Sequence, residues 1–219
     1  MSENKNIEQH YSLDERPFLE KVRGFCQLVE DRYSPYLTDF LNPREIQIVE
    51  DLANYYHLKF FVSSNLETEE YRRVIIAPDY YELSDDDFEI KRLEVSYARQ
   101  FNTLTHPKVL GTLINQLGLE RQVFGDIIIN DDGRIQFSIA SHLANYAIMT
   151  IKKIGNVSVT LKDVSEGNWI TNQENYSHSF VLLSSMRLDN VLATVLNLSR
   201  SRACLLYTSD AADDTPCVD

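Results

Sequence analysis

Three arginines near the C-terminus have the chain's most chemically specific spacing. Arg187 stands two residues before Asp189, and Arg200 and Arg202 follow Ser199 in Ser-Arg-Ser-Arg-Ala203. A guanidinium is planar, permanently charged, and offers a fork of donors that matches phosphate oxygens. Ser199 is placed to cap a helix whose N-terminal amides also favour anions. Asp189 reads as structural, holding a helix start or an arginine. Leu188, Leu192 and Leu196, at steps of four, read as core. The alternative for the arginines is a solvated helix face. A thinner second set, Arg121, Lys152 and Lys153, lies near element ends. The two lysines could equally be favourable charges at a helix C-terminus.

No catalytic or metal-binding constellation accompanies these cations. His10, His57, His106, His142 and His178 lack ligand spacing, and the seven glycines are spread singly, so no phosphate loop forms. Gly-x-Ser-x-Gly is absent. No catalytic residue, cofactor or metal is expected. Asp85, Asp86 and Asp87 have neither the glycine nor the distal glutamate of a calcium loop and read as a solvated boundary. Cys26 reads as a packed thiol in a helix. Trp169, the only tryptophan, is expected to pack on the preceding domain.

The elements that must position these groups follow from capping and periodicity. Ser12-Leu-Asp-Glu15 is a capping box before a helix with Phe18, Val22, Phe25, Val29 and Tyr33 as its apolar stripe. Residues 33–40 read as a connector. Asn42, Pro43 and Glu45 then start a second helix carrying Ile46, Val49, Leu52, Ala53 and Tyr56. Leu58 to Val62 and Arg73 to Ala77 form a hairpin. Next come a strand with Leu93, Val95 and Tyr97, and a helix from Pro107 closed by Gly118. The strands Asp126–Ile129 and Arg134–Ile139 flank the turn at 130–133. A helix capped by Ser141 and ended by Gly155 precedes a last strand with Val157, Val159 and Leu161. The order is β-α-β-β-α-β, the split plan of RRM-like and ferredoxin-like domains. Phe137 alone supplies an aromatic on the hairpin strand and reads as core, since an RRM stacks bases on aromatics of its central strands.

The class is α+β. An N-terminal α/β domain of two helices plus a hairpin (1–83) precedes the RRM-like domain (84–164), with a polar linker at 165–184. The formal net charge of −12 lowers the expectation of nucleic acid, and remains −8 without Asp210, Asp213, Asp214 and Asp219. A local basic face can still bind phosphate. No membrane span or signal pattern is seen, which places the chain in the cytoplasm by default.

Residues 185–203, with Arg187-Leu-Asp189, Leu192, Leu196, Ser199-Arg200 and Ala203, resemble the opening of an S-four RNA-binding domain. From Cys204 the pattern stops, and residues 204–219 resemble the translation of a sequencing-library transposon adapter. The module is expected to be truncated, with residues beyond about 165 loosely held. Arg187-Leu-Asp189 also resembles the segment around the catalytic aspartate of pseudouridine synthases, but here it lies near the end of the chain and runs into Ser199-Arg-Ser-Arg-Ala203 at S-four spacing.

Four blocks, Tyr33–Glu45, Leu104–Gly111, Gly118–Ile127 and Ser185–Asp189, together resemble the YlmH family of bacterial S-four proteins. That resemblance implies a non-catalytic, RRM-like and S-four RNA-binding protein associated with the ribosome, in a family linked to cell-division gene clusters. The implied partners are ribosomal RNA or tRNA and the ribosome, with neither membrane nor DNA. The alternative is a protein-interaction adaptor; an RNA-modifying enzyme ranks third.

Overall fold

The computed structural model describes residues 11–63, 69–164, 168–170 and 180–208. It divides into two compact units, residues 1–173 and 174–219.

In the first unit, α1 (Arg16–Arg32) starts where the Ser12–Glu15 capping box closes a 3-10 turn, Leu13–Glu15, and Pro17 falls in the first helical turn. A missing N–H is harmless there. The buried face is Leu19, Val22, Cys26 and Val29. The expected stripe is therefore shifted: Phe18 and Phe25 pack at its edge, and Tyr33, in left-handed backbone at φ 51°, is 61% exposed. Two adjacent ridges of this helix are equally periodic, and only the packing partner chooses between them.

The stretch expected to be a connector contains a strand, β1 (Tyr36–Leu41). Its alternation is broken by a register shift between Leu37 and Phe40, so no clean period shows. Asn42 caps α2 (Pro43–Tyr55): its side chain accepts the Glu45 N–H, and the Glu45 carboxylate accepts the Asn42 N–H, both at 2.9 Å. The helix closes at His57 (φ 54°), where the His57 N–H donates to Asn54 O at 3.2 Å and the Leu58 N–H to Ala53 O at 2.9 Å. Those are the paired bonds of a left-handed helix cap, which gives His57 a backbone role. β2 (Lys59–Val62) and β3 (Arg72–Ala77) make the expected hairpin, and the order β1-β3-β2 puts β3 at the centre. Val74 and Ile76 face the helices, packing with Ile46, Val49, Leu52 and Ala53.

The second sheet contains β4 (Ile90–Ser96), β5 (Phe124–Ile129), β6 (Ile135–Ala140) and β9 (Thr160–Asp163) in the antiparallel order β5-β6-β4-β9. Helices α3 (His106–Leu117) and α4 (Ser141–Thr150) connect them in the split βαβ plan. Leu93, Val95, Ile135, Phe137, Ile139 and Leu161 share one core with Val109, Leu113, Leu117, Ala144 and Ala147 of the two helices. Phe137 is thus a core residue, as expected.

Three details after β6 differ from the sequence reading. Ser141 is the first helical residue, not the cap, and its N–H donates to Glu89 O at 2.8 Å. α4 stops at Thr150. Gly155 (φ 57°) turns a small hairpin, β7 (Lys153–Ile154) with β8 (Val157–Ser158), so neither Val157 nor Val159 is part of the last strand, which keeps only Leu161 of the expected three. Glycine's tolerance of positive φ serves a hairpin turn as readily as a helix end.

In the second unit, α5 (Leu188–Val195) ends at Asn197 in left-handed backbone (φ 53°), with the Leu198 N–H donating to Ala193 O at 2.9 Å. α6 (Arg200–Thr208) runs through Cys204, across the point where the helical pattern was expected to stop. Ala193 and Ala203 are buried where the helices pack. Leu188 and Leu196, expected as core, are 55% and 49% exposed, and Leu192 is half-buried. Two short helices can enclose only the small residues between them. The rest of the expected linker and of the adapter-like tail, 165–167, 171–179 and 209–219, lies outside the described residues. No described helix is long and apolar enough to cross a membrane.

Candidate nucleic-acid interface

Two of the three arginines, Arg187 and Arg200, meet at the junction of α5 and α6. Arg187 immediately precedes α5, and its Nε donates to Asp189 Oδ1 at 3.2 Å. Arg200 opens α6 and places Nη2 3.3 Å from Asp189 Oδ2. One carboxylate, its side chain 9% exposed, therefore ties both arginines, whose own side chains are 64% and 59% exposed. Burial works to raise the Asp189 pKa, but the hydrogen bond from Arg187 and the charges of Arg187 and Arg200 outweigh it, so the net shift is downward. Ser199 Oγ accepts the Arg202 N–H at 3.4 Å, the cap expected of it, and Arg202 itself is exposed. Chemically, the junction presents guanidinium forks around an aspartate that fixes them, leaving outward N–H groups for an anion.

The second set does not gather. Arg121 stacks its guanidinium 4.1 Å from the Tyr71 ring centroid and donates to Phe124 O, so it is engaged at the seam between the two sheets. Lys152 is exposed and donates to Ile148 O at 2.8 Å, sitting at the α4 C-terminus where a cation is favourable. Lys153 is exposed on β7, and its carbonyl accepts from Gln116 Nε2 at 3.1 Å.

The sheet face that an RRM offers to bases is closed here. Arg92 on β4 and Gln136 and Ser138 on β6 point away from the helices, yet all are buried. Arg92 ion-pairs with Glu69, lies 4.5 Å from the Trp169 ring centroid, and donates to Ile170 O at 3.3 Å. Burial pushes its pKa down to about 10, against the field of Asp126, so it stays charged at neutral pH. Gln136 Oε1 accepts the Ile170 N–H at 2.9 Å, while its Nε2 donates to Glu94 Oε2 at 2.8 Å and Asn168 O at 3.0 Å. Hydrogen bonding from Arg134 brings the Glu94 pKa down. Trp169 packs on this domain, as expected.

The first sheet seals the remainder. A methyl added to Gly125 on β5 would lie 2.8 Å from the Phe40 ring and 2.9 Å from Ser138 Cβ. Asp126 Oδ2 accepts the Glu70 and Tyr71 N–H groups at 2.6 and 3.2 Å, and burial raises its pKa. Arg73, 5% exposed, donates to Thr38 O at 2.8 Å, Phe88 O at 3.0 Å and Glu89 O at 3.1 Å. Sequence reasoning passed over Arg73, Arg92, Asp126 and Gln136. Arg92 and Gln136 carry only the ordinary polar alternation of a strand, which looks the same whether that face meets water or a second layer, and Arg73 and Asp126 are charges ahead of apolar runs.

The fold defines an α+β protein in which a ferredoxin-like domain is joined to an N-terminal helix-and-sheet layer and followed by an arginine-bearing helix pair. Residues 84–168 match the family model described as "Putative RNA-binding domain in YlmH", and residues 14–81 match "YlmH, N-terminal". The fold is similar to a solved structure, the cell division protein ylmH from Streptococcus pneumoniae, with 40% identity and a TM-score of 0.66 over 74% of this chain and 98% of that one. The sequence is also 29% identical over 198 residues to ribosome-associated protein quality control protein P2 of Bacillus subtilis strain 168, covering 90% of this chain and 76% of that protein. The chain belongs to the YlmH family.

Proposed function

We propose that this chain is a non-catalytic, cytoplasmic RNA-binding protein that works on the ribosome, contacting ribosomal RNA or ribosome-bound tRNA. The observation that carries the reading is the Asp189 junction, which holds the exposed Arg187 and Arg200 together, with Arg202 also exposed in the first turn of α6. Family membership supports it, through a domain described as RNA-binding and a relative named as ribosome-associated. Guanidinium contacts to phosphate release counterions, so binding should weaken linearly as log salt rises. In filter binding with purified bacterial ribosomal RNA, Arg200→Ala with Arg202→Ala should lower affinity and reduce the salt slope by about 1 to 2. An unchanged slope would remove the arginines from the interface.

The acidic net charge of −12 favours a second reading, an adaptor that reaches the ribosome through protein. Ribosome co-sedimentation that persists after nuclease trimming of exposed RNA would select it.

A further inference from the structure

We infer that the helical face of the ferredoxin-like domain, not its sheet, is a second surface for the RNA phosphate backbone. This rests on the RNA reading above. Two observations point to that face. First, the sheet face is unavailable, because Arg92, Gln136 and Ser138 are buried beneath Trp169, Ile170 and Phe40. Second, the charge distribution is lopsided. The chain carries 33 aspartates and glutamates, yet none lies in residues 103–119 or 133–162, the stretches that form α3, α4 and the β7–β8 hairpin.

That acid-free layer exposes Lys108 on α3 and Lys152 and Lys153 after α4, with His106, His142 and Tyr146 also exposed. None of the three lysines is in an ion pair among the described residues. The Gln116–Lys153 bond sets Lys153 beside the last turn of α3. Lys108 lies eight residues earlier on the same helix, about 12 Å along its axis. The nearest carboxylates along the chain are Glu120, beyond the helix end, and Asp163, which Lys91 engages at 2.7 Å. Within the ferredoxin-like domain, a polyanion meets no carboxylate from these stretches and is repelled least on this face. Point-charge ammoniums on flexible stems suit backbone contact without base readout.

The test uses the full chain, purified bacterial ribosomal RNA and a salt titration. Lys108→Gln, Lys152→Gln and Lys153→Gln combined should reduce the salt slope by about 2, at roughly 0.7 to 0.9 per phosphate contact. The corresponding Lys→Arg triple should keep the slope, and matching circular dichroism melts of all three proteins would show that folding is intact. If the Lys→Gln protein binds with the parental slope while the Arg200/Arg202 variant does not, the helical face is excluded and the RNA reading stands. If the parent shows no salt-dependent binding, both fall together. Nuclease-resistant ribosome association lost in the Lys→Gln triple would assign this face to a protein and overturn the inference.

Discussion

Asp189 serves two arginines with one carboxylate. It reaches Arg187 within its own helix start and Arg200 across the junction, so it links local capping to the packing of α5 on α6. The pH dependence follows from the downward pKa shift. A depressed carboxylate contributes stability that is fully present above its ordinary value of 3.8 and is lost as pH falls through the lower folded value. Asp189→Asn should remove that dependence. It should also lower the hydrogen-exchange protection of the Leu198 and Ala203 amides, whose acceptors lie in this helix pair. Unchanged protection would mean that the alanine contacts alone hold the pair.

At the scale of elements, the joint between the sheets depends on a position with no side chain. Gly125 sits at the register shift of β5, where Phe40 of β1 presses against the backbone. Gly125→Ala should destabilise the protein by about 1–3 kcal/mol through overpacking, measured by urea unfolding. The contact is the aromatic ring, so Phe40→Leu should cost less in the Gly125→Ala background than in the parent. Strict additivity would show that the strain lies elsewhere. Elements whose boundary signals are local, such as the Asn42–Glu45 capping box and the Gly118 stop, were legible in the sequence. β1 was not, because its bulge hides the alternation and its pairing partner, β3, comes much later in the chain.

For the first unit as a whole, the two sheets behave as one body because buried arginines cross the seam. Arg73 donates to backbone carbonyls of β1 and of the turn that leads into β4, and Arg92 binds Glu69, Trp169 and Ile170. Arg73→Ala would leave those carbonyls buried without a donor, at a cost of about 3 kcal/mol. Trp169 is the only tryptophan and rests on Arg92, so its fluorescence reports the sheet that it covers. Fluorescence and far-ultraviolet circular dichroism should therefore give coincident urea transitions in the parent. A fluorescence transition at lower urea would show Trp169 detaching before the sheets unfold.

The sequence by itself determined the class, the β-α-β-β-α-β order and the arginine spacing around Asp189, because caps, turns and periodicity are written over a few neighbouring residues. The same is true of the buried thiol of Cys26, whose pKa burial pushes up to about 12. Tertiary structure alone decided which polar strand face meets water. Arg92, Gln136 and Ser138 alternate with core residues just as exposed ones would, and they became interior only when Phe40, Glu69 and Trp169 were brought over them from distant parts of the chain. It also decided that Leu188 and Leu196 stay exposed, since burial depends on what packs opposite a residue and not on its own period.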